Sequence, residues 1–201
     1  MRLGVFGGSF DPVHVGHLLL AESCREQCQL DAVWLLPTAV APHKQGQQPT
    51  AAEHRVAMLD LAIAGQAAMS VCRYETDRGG VNYTVDTLAH LRAEDPQGEL
   101  FFLLGADMLH DLPNWRRASE VCQLALPVVV RRPGSGEPNF DCLRPIAAAE
   151  RIEQMRRGAV EMPEIGVSSS DIRRRVAAGR SIRFLVPRAV EMYIAAHGLY
   201  R

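Results

Sequence analysis

The sequence predicts a doubly wound α/β fold: a parallel sheet with helices on both faces, followed by a mostly helical C-terminal part. Three observations lead there. Short continuous apolar runs recur along the first two thirds of the chain, and segments with apolar residues at helical spacing separate them. Runs of Val, Leu and Phe without polar alternation mark strands covered on both faces. After "VVVRRPGSGEPN" the strand signal fades, and from about residue 145 amphipathic segments dominate.

The elements follow in order. "LGVFG" is the first strand and "GHLLLAESCREQCQ" the first helix, starting near Val15 or Gly16; "AVWLLP" and "AAEHRVAMLDLAIAG" repeat the pattern. "MSVCRY" precedes the helix "YTVDTLAHLRAE", which begins at about Thr84 with Asn82 or Thr84 as its cap. "ELFFLLG", "ADMLHDL" and "LALPVVV" complete the alternation, and Pro133, Gly134, Gly136 and Pro138 mark a loop. A short extended piece is expected around Val160 to Ile165. Ser168 with Asp171 fits a capping box that opens a helix ended by Gly179, and the last helix runs from Pro187 to His197 before Gly198. Right-handed crossovers make this a Rossmann-like sheet whose ligands sit at the carboxyl edge of the strands, near a switch point. With no linker to divide it, 1–201 reads as one domain with a helical subregion from about residue 145.

Composition narrows the function. At 47% hydrophobic and 22% charged residues, a sizeable core is available. The longest apolar runs fall short of the ~20 residues of a membrane span, and no basic stretch with an apolar h-region opens the chain, so it reads as cytoplasmic. Five cysteines without a C-x-x-C pair suggest neither a disulfide framework nor a zinc knuckle, and Cys24 and Cys28 fit one buried helix face. A net charge of -1 gives no global case for nucleic acid or membrane as partner. Nor is any assembly predicted. The chain from Arg151 onward is nonetheless basic, with ten arginines against five acids, and Lys44 is the sole lysine.

"FGGSFDPVHVGHLLL" places His14 and His17 where the first strand ends and the first helix begins. A helix N-terminus offers unpaired N–H groups and about half a positive charge, and glycines admit a phosphate close to the main chain. Two imidazoles there suit a polyphosphate. Spacing alone also admits zinc, although no third ligand is evident, and simple helix capping. Neither the G-x-G-x-x-G nor the P-loop fingerprint is present.

"GGSFDPVHVGH" resembles the G-x-F-D-P-x-H-x-G-H signature of the nucleotidyltransferase superfamily that shares its H-x-G-H element with class I aminoacyl-tRNA synthetases. The resemblance implies that His14 and His17, with the main chain of Gly7, Gly8, Ser9 and Phe10, bind ATP phosphates and stabilise adenylyl transfer, and that Asp11 lies on the substrate side. "VSSSDIR" resembles the I-S-S-T-x-I-R motif of the same superfamily, which implies β- and γ-phosphate contacts for Ser169 and Arg173, with Arg174 and Arg175 solvated. Mg²⁺ is implied between the phosphates, without a side-chain cage.

The middle of the chain selects the acceptor. "NYTVDTL", "LLGADML", "LPNWRRASEV" and "VVRRPG" together resemble the bacterial nicotinate mononucleotide adenylyltransferases, in order and over nearly the full length. That implies transfer of AMP from ATP to nicotinate mononucleotide, forming deamido-NAD and pyrophosphate. The main chain of Tyr83 and Thr84 would receive the nicotinate carboxylate and Trp115 would stack on the pyridine. Gly105 and Asp107 are implied at the adenosine, Arg132 near the adenine, and His43 and Lys44 of "APHK" at phosphate. Nicotinamide mononucleotide or phosphopantetheine as acceptor, a silent nucleotide sensor and an RNA-binding protein are the competing readings. Intact His14, His17 and Arg173 argue against the sensor, and the lack of aromatic platforms among the basic residues argues against RNA.

Overall fold

The computed structural model describes residues 1–39, 49–131 and 137–201. His43, Lys44 and Arg132 lie outside them. Among the described residues, β1 (Arg2–Gly8), β2 (Ala32–Pro37), β3 (Met69–Val71), β4 (Glu99–Gly105), β5 (Leu126–Arg131) and β6 (Val160–Glu161) form one parallel sheet in the order β3-β2-β1-β4-β5-β6. The winding direction reverses between β1 and β4. Their carboxyl ends, Gly8 and Gly105, therefore flank the crevice in which such sheets hold ligands.

The helices are α1 (Val15–Gln27), α2 (Ala52–Ala62), α3 (Tyr74–Arg78), α4 (Thr84–Glu94), α5 (Ala106–Leu109), α6 (Ala118–Leu124), α7 (Ala149–Arg157), α8 (Ser169–Ala177) and α9 (Arg188–Ala196). Each central strand feeds two cores by alternation. Phe101 and Leu103 of β4 pack with Cys24, Met58, Ile172 and Val190, whereas Leu100, Phe102 and Leu104 pack with Leu88, Leu112 and Met155 on the other face. The C-terminal helices α8 and α9 thus belong to the core that carries α1.

Most boundaries agree with the sequence reading. Three differ. The extended piece at Val160 to Ile165 contributes only Val160–Glu161, which adds an edge strand to β5. The short helices α3 and α6 escaped the pattern, since five and seven residues are too few to show helical periodicity. Neither Asn82 nor Thr84 caps α4: Tyr83 occupies the cap position without a side-chain bond, and Thr84 is the first helical residue.

Candidate active site

The loop after β1 carries the two histidines into the crevice mouth. His14 caps α1, and its N–H donates to Nδ1 of His17 at 3.2 Å. With Nδ1 accepting, neutral His17 carries its proton on Nε2, the atom left to meet a ligand. The two rings stack at 3.7 Å between centroids, and Phe10 meets His17 edge-on at 5.0 Å. Burial pulls His17 well below the ordinary imidazole range, and His14 beside it adds to the effect. Gly16 has a steric reason: a Cβ there would approach the His14 ring to 3.1 Å and Ile165 to 3.4 Å. Phe10 holds a φ of 46° while fully buried, a conformation costing about 1–3 kcal/mol that its packing must offset.

The α1 N-terminus is less open than expected. Val15 N–H donates to the Leu185 carbonyl at 3.0 Å and His17 N–H to the His14 carbonyl at 2.9 Å, so of the first three N–H groups only that of Gly16 lacks an acceptor among the described residues. An anion placed here would meet imidazole as much as main chain.

The C-terminal region clasps this loop. Ser169 Oγ donates to the Pro12 carbonyl at 2.9 Å, and Arg173 donates to the Asp11 carbonyl at 2.6 Å. The two phosphate motifs read from opposite ends of the sequence are in direct contact. Ser168 caps α8 by accepting from Asp171 N–H at 3.2 Å, one half of the expected capping box, while the Asp171 carboxylate pairs with Arg174. The Ser169 hydroxyl proton is engaged by Pro12, which leaves its main-chain N–H at the helix start for a ligand. Arg174 is exposed and paired with Asp171, whereas Arg175 is half-buried and donates to the Ser181 carbonyl, so only the first is a simple solvated arginine.

Asp11 is buried, and both its carboxylate oxygens accept: one from Tyr200 OH at 2.7 Å, the other from Thr50 N–H at 3.2 Å. Fully buried Arg55 donates to the Thr50 and Ser9 carbonyls, both at 2.8 Å. Burial lowers the Arg55 guanidinium, and the Asp11 carboxylate foremost counters it. Sequence reasoning missed Arg55 and Tyr200. A lone arginine on the apolar face of "HRVAMLDLA" was the available signal for the first; nothing local announced the second.

In the region read as the acceptor side, Tyr83 and Trp115 pack against one core cluster, and Thr84 opens α4 directly after Tyr83. Among the described residues no acceptor meets the Thr84 and Val85 N–H groups. Trp115 is half-buried against the edge of Phe102, with its Nε1–H donating to Asp111 at 3.0 Å. Arg117 reaches Asp86 of α4 at 3.3 Å, which sets the Trp115 segment alongside the first turn of that helix. From below, buried Glu75 accepts from Thr87 at 2.7 Å, and buried Asn82 donates to the Gly79 and Gly80 carbonyls at 3.1 and 3.2 Å. Asp107 is exposed at the carboxyl end of β4, close over Gly105, where a Cβ would meet its carboxylate. Gly7 and Gly8 end β1 at the crevice. Among the described residues no three His, Cys, Asp or Glu side chains are grouped for a metal ion. No helix among them is long and apolar enough to cross a membrane.

Comparison with known proteins shows the family and the fold. Residues 5–175 match the cytidylyltransferase-like family model. A probable nicotinate-nucleotide adenylyltransferase of Thermomicrobium roseum is 47% identical over 100% of this chain and 92% of its own length. One from Thermus thermophilus is 45% identical with 100% of both chains covered. The fold is shared with Plasmodium falciparum nicotinic acid mononucleotide adenylyltransferase complexed with NaAD, at a TM-score of 0.75 and 17% identity, over 99% of this chain and 97% of the other.

Proposed function

The chain belongs to the cytidylyltransferase-like family and, within it, to the nicotinate-nucleotide adenylyltransferases, and from that membership we propose how its residues do the work. It transfers AMP from ATP to nicotinate mononucleotide, giving deamido-NAD and pyrophosphate in NAD biosynthesis. The observation that carries the residue assignment is the contact of the "SFDPVHVGH" loop with the "SSSDIR" helix start.

A phosphate oxygen of the acceptor attacks the α-phosphorus of ATP in line. A new P–O bond forms as the bond to the β-phosphate oxygen breaks, and the electron pair leaves with pyrophosphate. This asks the protein for positioning and charge stabilisation more than for covalent chemistry. His17, neutral and donating through Nε2, meets the charge developing at the transferred phosphoryl, and His14 acts beside it. Arg173 and the Ser169 N–H receive the departing phosphates, with the Gly16 N–H and the main chain of Gly7, Gly8, Ser9 and Phe10 lining the ATP side. Gly105 and Asp107 serve the adenosine, and Arg132, His43 and Lys44 complete the set from outside the described residues. Asp11 acts on the substrates by fixing the loop, because both its carboxylate oxygens are already engaged. ATP brings its Mg²⁺ on the phosphates, a hard ion that keeps most of its waters and needs no protein cage.

The acceptor's carboxylate meets the N–H groups at the start of α4, and its ring stacks on Trp115. A helix N-terminus favours an anion over a neutral carboxamide, which is the physical source of a nicotinate preference. Pyrophosphate release with ATP, Mg²⁺ and each acceptor separately tests the reading. Turnover with nicotinate mononucleotide should exceed that with the nicotinamide form; equal turnover would refute the acceptor assignment.

A further inference from the structure

We propose that Arg116 is a specificity residue for the acceptor, its guanidinium adding positive charge where the start of α4 receives a carboxylate. This rests on the acceptor reading above. The Arg116 Cζ lies 4.5 Å over the centroid of the Tyr83 ring, and Tyr83 is the residue at the α4 cap. An exposed arginine is not obliged to sit there; attraction to the ring face holds it.

The neighbours of Arg116 on both sides are fixed. Trp115 is bonded to Asp111 at 3.0 Å, and Arg117 is paired with Asp86 at 3.3 Å and Glu120 at 2.6 Å. The charge of Arg117 is thus matched by two carboxylates, whereas Arg116 meets none among the described residues. The segment "WRR" places a ring, an unmatched cation and a matched cation in sequence along the first turn of α4. The unmatched one lies over the ring of Tyr83, the residue that precedes the Thr84 and Val85 N–H groups, whose partial charge already favours an anion. A carboxylate gains from both; a carboxamide gains from neither. Guanidinium also offers two parallel donors to a carboxylate, which an amide cannot use in the same way.

The effect must appear in binding. The ring carboxylate does not change charge during AMP transfer, so Arg116 stabilises the ground state and the transition state alike and moves KM rather than kcat. Steady-state kinetics of wild type, Arg116→Gln, Arg116→Lys and Arg117→Gln with each acceptor, at low and high salt, test this. Arg116→Gln is expected to raise KM for nicotinate mononucleotide about three- to tenfold, to lower the nicotinate-to-nicotinamide preference by the same factor, and to matter less at high salt. Arg116→Lys, keeping the charge, should recover most of that loss, whereas Arg117→Gln, which releases the tie to Asp86, should raise KM for both acceptors. An Arg116→Gln enzyme that loses both acceptors equally, or keeps the wild-type preference, would overturn the proposal while the acceptor reading stands. A wild type without preference for the nicotinate form would overturn the acceptor reading itself, and this proposal with it.

Discussion

The phosphate side of the crevice is tied by bonds between residues far apart in the chain: Ser169 to Pro12, Arg173 to Asp11 and Tyr200 to Asp11. The acceptor side is held more by near neighbours, Trp115 to Asp111, Asn82 to Gly79 and Gly80, Arg117 to Glu120, with Thr87 to Glu75 and Arg117 to Asp86 as its longer ties. The difference fits the work proposed for each side. Donors aimed at developing charge must be placed before the reaction begins, and only the packed fold can hold them so. Acceptor choice is a difference of binding energies, which exposed residues on a local turn can set without disturbing the core. The family model spans residues 5–175, so the Tyr200 and Leu185 contacts to the loop come from beyond it.

The largest effect should come from His17→Ala. Loss of one donor to the transition state costs about 2.7–4 kcal/mol, a fall in kcat of about 10²–10³-fold, with the KM for ATP nearly unchanged. Parallel loss in both parameters would mean ground-state binding only, and the distinction between the two sides would collapse. Tyr200→Phe comes next. It leaves buried Asp11 one donor short, at about 1–3 kcal/mol, so the urea midpoint and kcat should fall together. An unchanged midpoint would show that the C-terminal clasp does not hold the loop. Asp111→Ala is the matching change on the acceptor side. Asp111 is exposed, so the midpoint should stay within error, while release of the Trp115 ring raises the acceptor KM about three- to fivefold and leaves the KM for ATP alone.

The same contrast explains what could be read from the sequence. Strand runs, the α1 start at Val15, the Ser168 cap and the α4 start at Thr84 are written in neighbouring residues, and the structure has them where the pattern put them. The pairing of "FDPVH" with "SSSDIR" was legible only as chemistry, two phosphate motifs that one ligand would need. That Ser169 donates to Pro12 and Arg173 to Asp11 depends on the packing of α8 against the sheet, and no spacing encodes it. Tyr200 and Arg55 were invisible for the same reason. Their polar partners lie on other elements, and an isolated Tyr near a terminus or an Arg on a helix gives no sign of its burial. Asn82 misled because its side chain suits a cap, whereas the turn at Gly79 and Gly80 uses it instead.

Titration offers the finest test, since the two sides carry groups displaced in opposite senses. Burial and His14 hold His17 below its ordinary value of 6.5, so on acidification the unfolded chain takes up a proton where the folded one does not. Its contribution to stability is complete above that value and is lost as pH falls toward the folded one. Glu75 is raised above 4.5 by burial, the Thr87 bond opposing, so its contribution is complete below that value and lost as pH rises through the folded one. Between the two ordinary values the slopes oppose each other, each limited to about 1.4 kcal/mol per pH unit. Urea midpoints from about pH 4 to about pH 8 separate them. His17→Gln should flatten the acid-side decline, and Glu75→Gln should remove the decline toward neutral pH. If both substitutions flattened the same limb, the phosphate and acceptor sides would be one coupled titrating unit rather than two independently built regions.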